Sequence, residues 1–127
     1  MKVLALDYGS ARTGVAVSDP TGSVARPLCV VEKAGTEAGL TRLRKLVRDE
    51  EAERVVVGLP LTLRGTPGEQ ARETEQFVEG LRAAVDVPVE TFDERFTTTL
   101  AGPGPGDDAR AAAHLLSSYL EWSSGRS

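Results

Sequence analysis

Two unbroken apolar runs open the chain, Val3-Leu4-Ala5-Leu6 and Val15-Ala16-Val17, and the segment between them is bounded by Gly9 and Gly14. Runs without polar alternation predict strands buried on both faces, and so short a connection predicts that they pair antiparallel. Asp7 ends the first run, which sets a carboxylate at the rim of the sheet, where a site can form. Aspartate also starts turns by bonding its own backbone, and this stretch alone leaves both readings open.

The 127 residues suit one domain, expected over residues 1–122, with 123–127 as a flexible tail. No apolar run is long enough to span a bilayer, and Lys2 is followed by too few apolar residues for a signal peptide. The single cysteine, Cys29, excludes an internal disulfide and reads as a small core residue, which fits a reducing cytoplasm. The net charge of −4 means that any contact with nucleic acid must rest on local positive charge.

Ser18-Asp19-Pro20-Thr21-Gly22 has turn chemistry, and Ser23 to Val31 can add a third strand, with Pro27 requiring an edge position or a later start. From Thr36, a plausible N-cap, the period becomes helical: Leu40, Leu43, Leu46 and Val47 fall three and four apart, to about Glu51. Arg42, Arg44, Lys45 and Arg48 on that helix read as a solvated face. Arg54 to Gly58 is another short buried strand, of parallel-sheet type, followed by a loop rich in glycine and proline that carries Arg64. A helix from about Glu69 to Val85 and a strand from Val87 to Phe92 come next, and the strand runs into Asp93-Glu94-Arg95. Strand parity separates Asp93 from Glu94. Gly102-Pro103-Gly104-Pro105-Gly106 breaks the chain before a last helix from Asp107 to about Glu121. Asp108 falls on its inner stripe, Asp107 makes the better N-cap, His114 faces solvent, and Tyr119 and Trp122 are expected to complete the core.

Asp7, Glu94 and Asp108 come from three separated segments, and adjacent parallel strands with the last helix beside them would gather all three at one rim. Clustered carboxylates repel, and a hard divalent cation, Mg²⁺ or Mn²⁺, is their usual remedy. Such an ion activates water and stabilises a phosphodiester's attacking and leaving oxygens, so no protein nucleophile is needed. No convincing Ser/His/Asp, Cys/His or zinc-type spacing competes with this reading.

The segments LALDYGSARTGVAVSD, VVVGLPLTLRG, DERFTT and DDARAAAHLLSSYL resemble, in order and spacing, the four signature blocks of the YqgF/RuvX family. The resemblance spans about Lys2 to Leu120. It implies an α/β, RNase H-like fold: a mixed five-stranded sheet, with an antiparallel three-strand meander followed by parallel strands, flanked by helices. It also implies a cytoplasmic nuclease that matures the 5′ end of pre-16S rRNA, with Holliday junction resolution as the alternative. The family's acidic residues fall on Asp7, Glu94 and Asp108, as catalytic residues and metal ligands. Arg12, Arg64 and Arg95 are expected to contact the substrate, whether pre-rRNA or branched DNA, from one basic cleft. Symmetric cleavage of a junction would call for a homodimer. One departure from the family stands out. Thr99 to Gly106 is shorter than the usual segment there and carries no basic residue, which bears on substrate affinity. Two other readings compete: an actin-like phosphate-binding protein, suggested by Asp-x-Gly in the opening hairpin, and a nucleic-acid-binding module without catalysis.

Overall fold

The computed structural model describes residues 1–61, 64, 68–96 and 108–125. The expectations for Thr97 to Asp107, including the N-cap at Asp107 and the glycine-proline break, fall outside them.

The strands are β1 (Val3–Asp7), β2 (Arg12–Ser18), β3 (Ala25–Glu32), β4 (Arg54–Leu59) and β5 (Val89–Asp93), and the helices are α1 (Glu37–Asp49), α2 (Glu69–Ala84) and α3 (Asp108–Ser124). They form one sheet in the order β3-β2-β1-β4-β5. β1, β2 and β3 pair antiparallel, while β1, β4 and β5 run parallel. The apolar runs explain this order. β1 and β4 carry the purest ones, and they lie at and beside the centre, where both faces are covered. Pro27 lies on edge strand β3, beside a bulge at Val15/Ala16, where its missing N–H costs no ladder bond.

Two apolar layers sandwich the sheet. Leu4, Leu6, Val15, Val17, Val55 and Val57 meet Leu43 and Val47 of α1 and Phe77, Val78 and Leu81 of α2 on one face. Val3, Ala5, Ala16, Val56 and Phe92 meet Ala112, Leu115, Leu116 and Tyr119 of α3 on the other. Thr36 caps α1 by accepting the Gly39 N–H at 3.2 Å, as its position before the helical period predicts.

Three local expectations are corrected. Trp122 does not complete the core: it stays 42% exposed, its ring edge-on to Phe92 at 5.5 Å, so it covers the margin of the core from outside. α3 continues to Ser124, beyond the expected end at Glu121, with Gly125 N–H still bonded back to Glu121. Cys29 is half-buried on the edge strand and packs against the core from its margin.

Candidate active site

β1, β4 and β5 are parallel neighbours, so their carboxyl ends share one rim, the usual location of sites in α/β sheets. Asp7 is the last residue of β1. β5 ends at Asp93, and the chain there tightens into a 3₁₀ turn, Glu94–Phe96, which turns Glu94 away from Asp93. Asp93 is taken up by Arg95, whose guanidinium it holds at 2.6 Å and whose backbone N–H it accepts at 2.9 Å. Glu94 instead faces Asp7, and the two carboxyls act directly on each other.

Two carboxylates can bond each other only by sharing a proton. Burial is the main cause that raises the Glu94 carboxyl, to about 7, and the charge of Asp7 and the hydrogen bond to it add to the rise. Asp7 is raised as well, first by burial and then by the charge of Asp108, although the bond from Glu94 works the other way. Asp108, half-buried on the first turn of α3, places its Oδ2 away from solvent, where among the described residues it has no hydrogen-bond partner and only the Arg12 Nε as an ion-pair contact, at 3.5 Å. Among the described residues, no three His, Cys, Asp or Glu side chains close into a ready-made metal centre. The acids converge pairwise, Asp7 on Glu94 and Asp108 on Asp7.

Two glycines permit this convergence. Gly14 is the cross-strand partner of Asp7, and a Cβ there would lie 1.8 Å from the Asp108 carbonyl oxygen. The first turn of α3 therefore lies directly on the β2 backbone beside Asp7. A Cβ on Gly58 would lie 2.6 Å from Glu94 Oε1 and 3.1 Å from Leu115 Cδ2, so its absence leaves the space that Glu94 fills. Neither glycine was expected to matter to the site. Their signal is a glycine inside or ending an apolar strand, which marks a close approach by another group.

The three arginines are spread along the rim. Arg12 begins β2 and leans on Asp108, Arg95 follows β5 and is bonded to Asp93, and Arg64 is exposed in the turn after β4.

A mixed sheet of this order, with acids at the ends of its central strand β1 and its edge strand β5 and on its last helix, defines an RNase H-like, RuvC-like nuclease fold. T. thermophilus RuvC, solved in complex with a Holliday junction substrate, matches over 98% of this chain and 96% of its own, with a TM-score of 0.65 and 20% identity. The fowlpox virus Holliday junction resolvase matches over 96% and 99%, with a TM-score of 0.52 and 15% identity. Those likenesses show the fold. The family follows from sequence: the model described as "RuvX: Holliday junction resolvase" matches residues 1–104, and the chain belongs to the RuvX (YqgF) family, nucleases that hydrolyse phosphodiester bonds. Asp108 lies beyond the matched segment. A protein of Chloroflexus aggregans is 39% identical, with 94% of this chain and 92% of its own aligned, and one of Roseiflexus sp. is 45% identical over 79% and 71%. Both bear the name "Putative pre-16S rRNA nuclease".

Proposed function

We propose that this protein is a metal-dependent endonuclease of structured nucleic acid that trims the 5′ end of pre-16S rRNA in the cytoplasm. The observation that carries this reading is the acid constellation: Asp7 and Glu94 set carboxyl against carboxyl, beside a buried Asp108 oxygen with no hydrogen bond among the described residues. Burying carboxylates against one another costs stability, and an arrangement that does so at a strand-end rim is typical of a site kept for chemistry.

Mg²⁺ or Mn²⁺ suits this donor set, because the acids offer only hard oxygens and one of them is unsatisfied. Asp7, Glu94 and Asp108 would hold the ion, which supplies an activated water and charge stabilisation at the phosphate. The chain's own groups do the rest. Arg12 and Arg64 bind and orient substrate phosphates, and Arg95, anchored by Asp93, adds positive charge on the β5 side of the rim. The names of the relatives favour rRNA as substrate, whereas the family model's description favours a four-way DNA junction, which would require a homodimer for symmetric cutting.

The test is side-by-side incubation of precursor rRNA and a four-way DNA junction with Mn²⁺, using wild type and Asp7→Asn. Wild type is expected to cut the rRNA, and Asp7→Asn to lose about a thousandfold or more in rate, as expected when several kcal/mol of charge stabilisation disappears. Equal cleavage by a folded Asp7→Asn protein overturns the site, and preference for the junction overturns the substrate.

A further inference from the structure

Beyond the arginines, one cation at the rim has no assigned work. Lys33 directly follows β3, whose last residue, Glu32, pairs with Arg12 at the start of β2. Its backbone is pinned on both sides: its N–H donates to the Ala11 carbonyl at 2.9 Å, and its carbonyl accepts the Thr36 N–H at 3.0 Å and the Thr36 hydroxyl at 2.7 Å. Lys33 thus sits against the Asp7-to-Arg12 turn, one strand beyond Arg12 and at the same end of the sheet as the carboxylates. The residue is exposed, and among the described residues its ammonium makes no ion pair, not even with the nearby Glu32 or Glu37.

The backbone at this corner is unusual too. Lys33 has φ +48°, in the left-handed region that glycine enters freely and a lysine enters at a cost of about 1 kcal/mol. Glu51, the other described non-glycine residue with positive φ (+54°), has an ordinary reason, because it follows the C-cap of α1 and ends that helix. No such reason requires a long basic side chain at Lys33.

The sheet order gives this cation a place. From β3 to β5 the rim presents Lys33, Arg12, the acids with Asp7 at their centre, then Arg95, with Arg64 in the loop that follows β4. Positive groups therefore flank the carboxylates on both sides, along a line roughly 19 Å long at the usual spacing between strands. We propose that Lys33 is a substrate-binding residue that holds a backbone phosphate of the nucleic acid at the β3 end of this line, beyond Arg12. This inference rests on the nuclease reading for the identity of the ligand, but its readout is binding.

The experiment measures fluorescence anisotropy of a labelled RNA hairpin with a single-stranded 5′ extension, titrated with the protein at several salt concentrations and without divalent cation, so that the probe stays intact. Lys33→Gly removes the charge and suits the left-handed corner, so the fold is kept. It is expected to bind about tenfold more weakly and to reduce the slope of log affinity against log salt by about 1, with no drop in melting temperature. Lys33→Arg is expected to restore both. Lys45→Ala, on the outer face of α1 and paired with Asp49 at 3.9 Å, serves as the basic-surface control and is expected to bind like wild type. Wild-type affinity and slope in Lys33→Gly, failure of Lys33→Arg to restore binding, or an equal loss in Lys45→Ala overturns the proposal, as does a wild type that does not bind the hairpin. Cleavage is scored separately. Binding that depends on Lys33 in a protein that cuts nothing overturns the nuclease reading alone, whereas cleavage with Lys33-independent binding overturns this inference alone.

Discussion

The two ends of the sheet carry charged clusters built on opposite terms. At the amino ends of the parallel strands two acids are paired with bases: Glu50 receives Lys2 at 3.4 Å and Arg26 at 3.6 Å, and Glu90 receives Arg54 at 3.6 Å and the Tyr119 hydroxyl, which also accepts from Arg54 at 3.0 Å. At the carboxyl ends the acids face one another. Glu94 meets Asp7, and Asp108 keeps an oxygen without a hydrogen bond. The chain has fewer bases than acids, 15 Lys and Arg against 19 Asp and Glu, and at the amino ends of the strands it uses them to pair carboxylates. At the other end Arg95 takes Asp93 and Arg12 approaches Asp108, but Asp7 and Glu94 are set against each other, the sign of a site that takes positive charge from outside.

The comparison breaks first at Gly14. Gly14→Ala drives a Cβ into the Asp108 carbonyl, and the overpacking is expected to cost about 3 kcal/mol in denaturant unfolding and to abolish cleavage, since α3 must move off Asp7. Unchanged cleavage would mean that the seat of α3 does not set the site.

Next come paired substitutions at the two ends. Folding raises Asp7, so its ionised form costs stability above the ordinary carboxylate range, and removing the charge removes that cost. Asp7→Asn is therefore expected to melt at or above wild type while losing activity. Tyr119→Phe, at the balanced end, is expected to lose about 1 kcal/mol and to cleave normally. Thermal melts of both proteins check the opposite signs.

The smallest effect concerns the turn at the balanced end. Asp19 accepts from the Ser23 N–H at 2.8 Å and the Val24 N–H at 3.0 Å, and with its bond from Thr21 this holds its carboxyl down at about 2. A depressed acid contributes above its ordinary pKa, near 3.8, and loses that contribution as pH falls towards 2. Amide exchange at Ser23 and Val24 should quicken over that interval, and no such change is expected in Asp19→Asn.

Much of this was legible in the linear pattern. The apolar runs ending in Asp7 and Gly58 give the parallel core strands, the three-and-four spacing from Leu40 gives α1, and the antiparallel opening pair follows from its short glycine-bounded connection. Those features are local: burial on two faces requires unbroken apolar residues, and one buried helical face requires a repeat near 3.6. Trp122 differs because a helical stripe tells which side chains share a face and not how far the covering layer reaches over each of them.

What the linear pattern could not contain is which groups touch. That Glu94 turns to Asp7 while Asp93 takes Arg95 depends on a single 3₁₀ turn, and that Asp108 reaches Asp7 depends on a missing side chain at Gly14. The position of Lys33 beyond Arg12 arises only when β3 returns along β2. Periodicity records how each segment is buried, because burial acts residue by residue. Contacts between distant segments are settled by packing, where a volume the size of one methyl group decides which side chains meet.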